Sequence, residues 1–179
     1  EFLAAWSTVA TTPRDNAPPD SDALRRYALY PYLQAARLER DLDQLPAPPA
    51  GTAPTTPLPV DTQIESLLAA LGDQPVARSL RRDWMQSLAA RRAWTQYLDV
   101  YQWERDDGDV GLRCASFNAR IALDRTQDLP ASVVATWLTG RSLPNSCDPA
   151  FDWLRARGTL GNELVQQRAR LALANGESA

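Results

Sequence analysis

The chain has 179 residues and a formal net charge of −3, and its 44% hydrophobic and 23% charged residues are typical of one globular domain. Without a basic excess, nucleic acid is a poor candidate partner. The sequence contains no His, and all 19 basic residues are Arg, which excludes His- or Lys-dependent nucleophiles, His-ligated zinc and Walker A phosphate binding.

Hydrophobic residues recur at helical spacing along most of the chain, which predicts an all-α fold. From the N-terminus, we place helices near residues 2–10, 21–44, 61–71, 76–89, 91–104, 110–124, 130–139, 149–157 and 162–174. Two proline-containing stretches interrupt this pattern. Residues 11–20 are predicted to form a loop. Residues 45–60 hold six prolines and favour polyproline II or disorder, as an insertion between helices.

Several residues mark the expected helix ends. Thr62 followed by Glu65 matches a capping box, and Asp148 precedes a proline as an N-cap residue does. Gly158 and Gly176 are expected to end helices in a left-handed conformation. The turns between these helices are short, which favours antiparallel neighbours.

A weak repeat runs along the chain from residue 84 onward. Trp84, Phe117 and Phe151 are separated by 33 and 34 residues, and each is expected to open a similar helix. A period near this length is typical of helix-pair solenoids. The spacing therefore favours stacked helical hairpins, with a concave surface, over a closed bundle.

The two cysteines, Cys114 and Cys147, are 33 residues apart and have no CxxC spacing or His beside them, so metal binding is not expected. Their spacing leaves two alternatives open. They are either two free buried thiols or a disulfide, which would contribute about 3–4 kcal/mol in the chain-entropy account.

Other candidate chemistry is more simply explained by structure. The acidic run Asp106–Asp109 lacks the spacing of an EF-hand, so we interpret it as a solvated turn rather than a calcium site. The pairs Arg81–Arg82 and Arg91–Arg92 are expected on solvated helix faces. Six Trp and five Tyr could stack on sugars, but most lie on apolar stripes and are expected in the core. We expect no metal, no cofactor and no catalysis by this chain alone.

The chain begins with Glu rather than Met, so we expect it to be a piece of a longer protein. No signal peptide pattern is present, and no apolar run reaches the roughly 20 residues that a membrane-spanning helix needs.

Five segments carry a resemblance to a known family. They are residues 27–33 (YALYPYL), 80–98 (with LRRDW, LAAR and WTQYL), 112–114 (LRC), 137–151 (WLTGRSLPNSCDPAF) and 170–176 (RLALANG). The fourth segment is the most specific. In this order and spacing, they resemble the N-terminal superhelical region of the soluble lytic murein transglycosylases. The resemblance covers residues 20–179, except for the proline-rich insertion at 45–60.

This resemblance implies a single domain over residues 1–179, built as a right-handed superhelix of stacked antiparallel helical hairpins. It also implies a periplasmic, non-catalytic part of an enzyme that cleaves the MurNAc–GlcNAc bond of peptidoglycan to 1,6-anhydro products. The partners would be glycan strands and a separate lysozyme-like catalytic domain. In the family, cysteines at the positions of Cys114 and Cys147 are disulfide-bonded, so the resemblance implies this pairing here.

The resemblance assigns no catalytic residue to this chain. The family's catalytic Glu is followed by Ser, and this chain has two such pairs, Glu65–Ser66 and Glu177–Ser178. Glu65–Ser66 lacks the surrounding motif, so we interpret it as accidental, and Glu177–Ser178 is expected in a frayed tail. Two alternatives from other classes remain: a stand-alone helical-repeat adaptor that binds a protein or peptide, and an independent carboxylate-based glycosidase.

Overall fold

The computed structural model describes residues 1–12, 18–46, 54 and 56–176. Within them the secondary structure is helical, without a strand, and the all-α prediction is confirmed. The helices are α1 (Phe2–Ser7), α2 (Asp22–Arg25), α3 (Tyr30–Asp43), α4 (Pro59–Leu71), α5 (Pro75–Ala90), α6 (Trp94–Val100), α7 (Trp103–Asp106), α8 (Val110–Ala122), α9 (Leu129–Trp137), a 3₁₀ turn (Asn145–Cys147), α10 (Asp148–Ala156) and α11 (Asn162–Ala174).

The chain divides into two compact units, Glu1–Ala93 and Trp94–Ala179. In the first unit, α3, α4 and α5 pack against one another, and α1 packs against α3. In the second unit, α8 packs against α6, α9, α10 and the 3₁₀ turn. That residues 1–179 form a single domain stays a prediction.

Two predicted helices are each divided in the structure. The helix predicted at 21–44 is interrupted between Arg25 and Tyr30, because Pro31 falls in the first turn of α3 and its ring does not fit inside a continuous helix. The prediction of one helix at 91–104 is also wrong, because the structure has two helices there, α6 and α7. Arg91 caps the end of α5, Arg92 has a φ of 58°, and α6 begins only after them.

The prediction that residues 45–60 favour polyproline II or disorder is wrong at its end. Pro59 and Val60 form the first turn of α4, and Val60 is buried. Residues 47–53 and 55 lie outside the described residues, as do residues 13–17 of the predicted loop. The predicted capping box of Thr62 and Glu65 is wrong. The carboxylate of Asp61 accepts a hydrogen bond of 2.8 Å from the backbone N–H of Leu58, whereas Thr62 and Glu65 lie inside the helix.

The two glycines predicted to end helices are confirmed, whereas the predicted cap at Asp148 is wrong by one position. Gly158 and Gly176 follow α10 and α11 with φ of 72° and 71°. Helix α10 begins at Asp148, with Cys147 as the capping residue, one position before the predicted cap.

The weak repeat does not describe equivalent positions. Trp84, Phe117 and Phe151 are all buried, but none opens its helix. Trp84 is the tenth residue of α5, Phe117 the eighth of α8 and Phe151 the fourth of α10. The period therefore reflects the recurrence of buried aromatic side chains and not a repeated helix register.

A buried ion pair lies in the core of the first unit. The fully buried carboxylate of Asp61 accepts hydrogen bonds from Trp84 Nε1 at 2.8 Å and from Arg91 at 2.7 and 3.3 Å. Arg91 is only 6% exposed, so its predicted place on a solvated face is wrong. These bonds join the start of α4 to the end of α5, and they satisfy charges that would be costly to bury alone.

Candidate functional site

The predicted site residues Cys114 and Cys147 form a disulfide in the second unit. Their Cα atoms are 4.8 Å apart, and both side chains are fully buried. The bond joins α8 to the 3₁₀ turn within a cluster that includes Phe117, Trp137 and Phe151. The alternative of two free thiols does not hold in this structure, where neither cysteine is free. A bond so enclosed can crosslink the chain but is poorly placed to exchange with external thiols.

Polar contacts extend the crosslink. Asn118 Nδ2, on α8, donates a hydrogen bond of 2.7 Å to the carbonyl of Ser146, next to the disulfide. On the other side of α8, the hydroxyl of the buried Tyr97 donates to the carbonyl of Leu112 at 2.7 Å. The disulfide and these two hydrogen bonds therefore link α6 and the 3₁₀ turn to α8.

The acidic run Asp106–Asp109 has a structural role. Asp106 is buried and accepts a hydrogen bond of 2.7 Å from the backbone N–H of Gln102, so its interpretation as a solvated residue is wrong. Asp109 caps α8 by accepting bonds from the N–H groups of Gly111 and Leu112 at 2.9 and 3.2 Å. Across the described ranges, no group of three or more His, Cys, Asp or Glu could hold a metal ion.

The expectation that most Trp and Tyr lie in the core holds for only some of them. Trp84, Tyr97 and Trp137 are buried, but Trp6, Tyr27, Tyr32 and Trp103 are exposed by 41–57%. Helical spacing predicts the apolar stripe correctly, but it does not show which stripes lack a covering element.

A cleft in the first unit combines fixed polar groups with apolar surface. Its volume is about 520 Å³, within the range of small-molecule sites. We call it the α3–α4 cleft, and its lining consists of Tyr30, Gln34, Arg37 and Leu38 from α3, Gln63, Ser66, Leu67 and Ala70 from α4, and Pro18, Pro19 and Asp20 from the preceding segment. Both helical sets recur at three- and four-residue spacing, so each is one face of its helix.

The cleft contains a hydrogen-bonded network centred on Asp20. Arg37 donates two hydrogen bonds to its carboxylate, at 2.7 and 3.0 Å, and the Tyr30 hydroxyl donates a third at 2.9 Å. The hydrogen bonds from Arg37 lower the pKa of Asp20, while burial and the bond to Asp20 raise the pKa of Tyr30. At neutral pH, the network is therefore an ionised carboxylate, a guanidinium and a neutral phenol.

A second cleft, between α3 and α5, is acidic. It is lined by Glu39, Asp43 and Asp83 together with Leu42, Gln86, Ser87 and Ala90, and has a volume of about 500 Å³. Burial raises the pKa of Glu39, and the nearby charges of Asp83 and Asp43 raise it further. Burial also raises the pKa of Asp83, which Arg82 partly offsets.

Within the described residues, the Glu65–Ser66 pair is not in an enclosed carboxylate pocket. Glu65 is exposed on α4, and Ser66 lines the α3–α4 cleft. Glu177 and Ser178 lie outside the described residues. Among the helices of the described part of the chain, none is long and apolar enough to cross a membrane.

These features define a class before any relative is considered: an all-α protein of two helical units, one crosslinked by a buried disulfide and the other carrying an open polar cleft. Its relatives are soluble lytic murein transglycosylases. The chain is 28% identical over 155 residues to the enzymes of that name from Salmonella typhimurium and from Escherichia coli K12, a match of 87% of this chain. The resemblance inferred from the sequence segments is thus confirmed. The chain spans only 22% of the length of these relatives.

Solved structures give the same relationship. The chain is similar to the 70-kDa soluble lytic transglycosylase in complex with bulgecin A, with a TM-score of 0.69 and 27% identity over 86% of this chain and 22% of that chain. It is also similar in fold to the soluble lytic transglycosylase Slt70 from Escherichia coli, with a TM-score of 0.76 and 24% identity over 98% of this chain and 26% of that one.

One further match is shorter. The family model for the cucumovirus coat protein matches residues 120–178, about a third of the chain. A match of this length does not define the family of the whole chain. The described residues of this matched segment include α9, α10 and α11. Viral coat domains, by contrast, are commonly β-sandwich jelly rolls.

Proposed function

We propose that this chain is a non-catalytic helical domain of a periplasmic lytic transglycosylase and that it scaffolds or positions glycan strands of peptidoglycan. The observation that carries the proposal is the 155-residue relationship to soluble lytic murein transglycosylases, of which the chain spans only 22%. A lysozyme-like domain elsewhere in the whole protein would then cleave the MurNAc–GlcNAc bond and leave the 1,6-anhydro product. The helical domain would form part of the ring that confines the strand.

The chemistry of the chain supports a non-catalytic role. Glycosidic cleavage by a carboxylic acid needs a carboxyl group that an apolar pocket keeps protonated beside the scissile oxygen. Glu65, in the one Glu–Ser pair within the described residues, is exposed on a helix surface. The chain has no His or Lys that could replace such an acid.

The disulfide supports the proposed compartment. Structural disulfides persist in oxidising compartments such as the bacterial periplasm and are rare in the cytosol. The bond between Cys114 and Cys147 is fully buried and belongs to the hydrophobic core of its unit. A buried structural disulfide suits a protein exported from the cytosol.

The test is a digestion of purified peptidoglycan sacculi by the 179-residue chain, followed by mass spectrometry of the soluble products. The Escherichia coli relative serves as the positive control. We expect 1,6-anhydro muropeptides from the control and none from this chain. Release of such products by this chain would overturn its non-catalytic assignment, and release of reducing-end products would favour the independent glycosidase.

A sedimentation assay tests the scaffolding role separately. The chain is mixed with sacculi and the mixture is centrifuged. The amount of the chain is then measured in the pellet and in the supernatant. We expect the chain to sediment with sacculi and to be released by soluble glycan fragments. A chain that stays in the supernatant would contradict contact with glycan and would favour the helical-repeat adaptor.

A further inference from the structure

We propose that the α3–α4 cleft is a direct contact site for N-acetylhexosamine units of a glycan strand. The inference rests on the proposed function, which supplies the glycan as partner, and it goes further by assigning the contact to one cleft.

The cleft is suited to an uncharged ligand. Among its described lining residues, Asp20 and Arg37 carry the only charges, and they neutralise each other through two hydrogen bonds. An anionic or cationic ligand would gain no net electrostatic attraction there. The acidic α3–α5 cleft differs, since its three carboxylates would repel an anionic ligand. A neutral, polar ligand therefore fits the α3–α4 cleft best.

The hydrogen-bonding groups match those of an N-acetylated sugar. Gln34 and Gln63 carry amides, and Ser66 carries a hydroxyl, so each can both donate and accept hydrogen bonds. Sugar hydroxyls and an acetamido group need this mixture of donors and acceptors. The Asp20 carboxylate adds a strong acceptor whose orientation Arg37 and Tyr30 already hold, which lowers the entropy lost on binding.

Apolar surface lies among these polar groups. Leu67 and Ala70 line the cleft beside Pro18 and Pro19, and the buried Leu38 lies beneath them. The side chains of Leu67, Ala70 and the two prolines can contact the C–H faces of a pyranose ring and the methyl of an acetyl group. A cleft with a few oriented polar groups on an apolar lining is the usual composition of a small-molecule site.

The experiment is a titration of the ¹⁵N-labelled 179-residue chain with chitotetraose, a neutral N-acetylglucosamine oligomer, followed by amide NMR shifts. We expect saturable shifts at Gln34, Gln63 and Ser66, and little change around the α3–α5 cleft. Cellotetraose, which lacks the acetamido groups, is the ligand control and should cause much smaller shifts. Equal shifts with both sugars would overturn the assignment to N-acetylhexosamine.

Two tryptophan substitutions on α4 form a matched pair. Ala70→Trp places an indole in the cleft, whereas Ala69→Trp places one at the neighbouring exposed position, which does not line the cleft. We expect Ala70→Trp to abolish the shifts and Ala69→Trp to leave them unchanged. Gln34→Ala should weaken binding by about two- to tenfold, the loss of one neutral hydrogen bond. Circular dichroism melting of each variant shows whether it is folded.

The outcomes separate this inference from the proposed function. Chitotetraose binding that persists in a folded Ala70→Trp variant would overturn the cleft assignment and leave the glycan-positioning role intact. Absence of any shift with chitotetraose would overturn the inference, while a non-catalytic scaffold without direct sugar contact would stand. Cleavage of sacculi by the chain would instead contradict the proposed function itself.

Discussion

The guanidinium of Arg91 and the carboxylate of Asp61 form an ion pair that is almost completely removed from water, with N–O distances of 2.7 and 3.3 Å. Trp84 donates a further hydrogen bond to the same carboxylate at 2.8 Å. The pair joins two helices that are separated along the chain by a turn. It fixes the packing of α4 against α5, and α4 carries one wall of the α3–α4 cleft.

Breaking this pair should strongly destabilise the first unit. Arg91→Met leaves the Asp61 carboxylate buried without its counter-charge, a change that typically costs about 3–5 kcal/mol. Urea unfolding followed by circular dichroism measures the loss. The matched control is Arg92→Met at the adjacent exposed position, where we expect a change within about 0.5 kcal/mol. Equal losses in both variants would show that the buried pair has no special role.

The disulfide should be present in protein prepared under oxidising conditions and should contribute to stability. Alkylation under denaturing, non-reducing conditions, followed by mass spectrometry, should modify neither Cys114 nor Cys147. Closing a loop of 33 residues corresponds to about 3–4 kcal/mol in the chain-entropy account, so reduction should lower the melting temperature. The double variant Cys114→Ala/Cys147→Ala should lose similar stability and become insensitive to reductant. An unchanged melting temperature after complete reduction would contradict this contribution.

Periodicity predicted most helices because buried residues such as Leu80, Trp84 and Leu88 recur along one face of a long element. It failed where a local contact overrides the pattern. The break before α3 depends on the first-turn position of Pro31, and the start of α7 depends on a bond from the Gln102 N–H to Asp106. Propensity alone does not place such breaks.

The candidate site was harder to predict than the helices. The cysteine pairing came from the resemblance, because the spacing of Cys114 and Cys147 allowed both a bond and two thiols. No short sequence motif marks the α3–α4 cleft. Asp20 and Arg37 are 17 residues apart in the sequence, and Gln34 comes to share a cleft with residues of α4 only when the two helices pack. The sequence also gives no signal of which of its 19 arginines are buried, as Arg91 shows.

The acidic α3–α5 cleft should lower stability at neutral pH. Burial raises the pKa of Glu39 and of Asp83, so the folded state holds their protons more tightly than the unfolded state does. Stability therefore falls as the pH rises from the unfolded pKa values through the folded ones. Glu39→Gln should increase stability at pH 7 by a few tenths of a kcal/mol, since the group is partly solvated. This gain should vanish below the pKa that Glu39 has in the unfolded chain. There the carboxyl group is protonated and neutral in both the folded and the unfolded state.

Paired urea titrations at pH 7 and at pH 3.5 measure this effect. Glu65→Gln is the matched control, because Glu65 is an exposed carboxylate on α4 that does not line the acidic cleft. We expect no change for the control at either pH. A loss of stability in Glu39→Gln at pH 7 would mean that the ionised carboxylate makes a favourable contact, contrary to the direction of its pKa.

The last helix, α11, should depend on the absence of a side chain at Gly140. A Cβ atom there would lie 2.6 Å from the backbone carbon of Leu171 and 2.7 Å from the backbone nitrogen of Ala172, and the residue has a φ of 63°. Backbone atoms cannot move aside as a flexible side chain can. Gly140→Ala therefore combines a left-handed backbone penalty of roughly 1–2 kcal/mol with overpacking of roughly 1–3 kcal/mol.

Hydrogen exchange followed by mass spectrometry tests this prediction. The α11 amides should exchange faster in the Gly140→Ala variant than in the unsubstituted chain. Gly108→Ala is the control, because a Cβ at Gly108 meets nothing within 4 Å and its φ is not positive. That variant should leave the exchange of α11 unchanged and alter global stability by less than about 1 kcal/mol. If Gly140→Ala also left α11 protected, the close approach of this helix to Gly140 would not be what holds it in place.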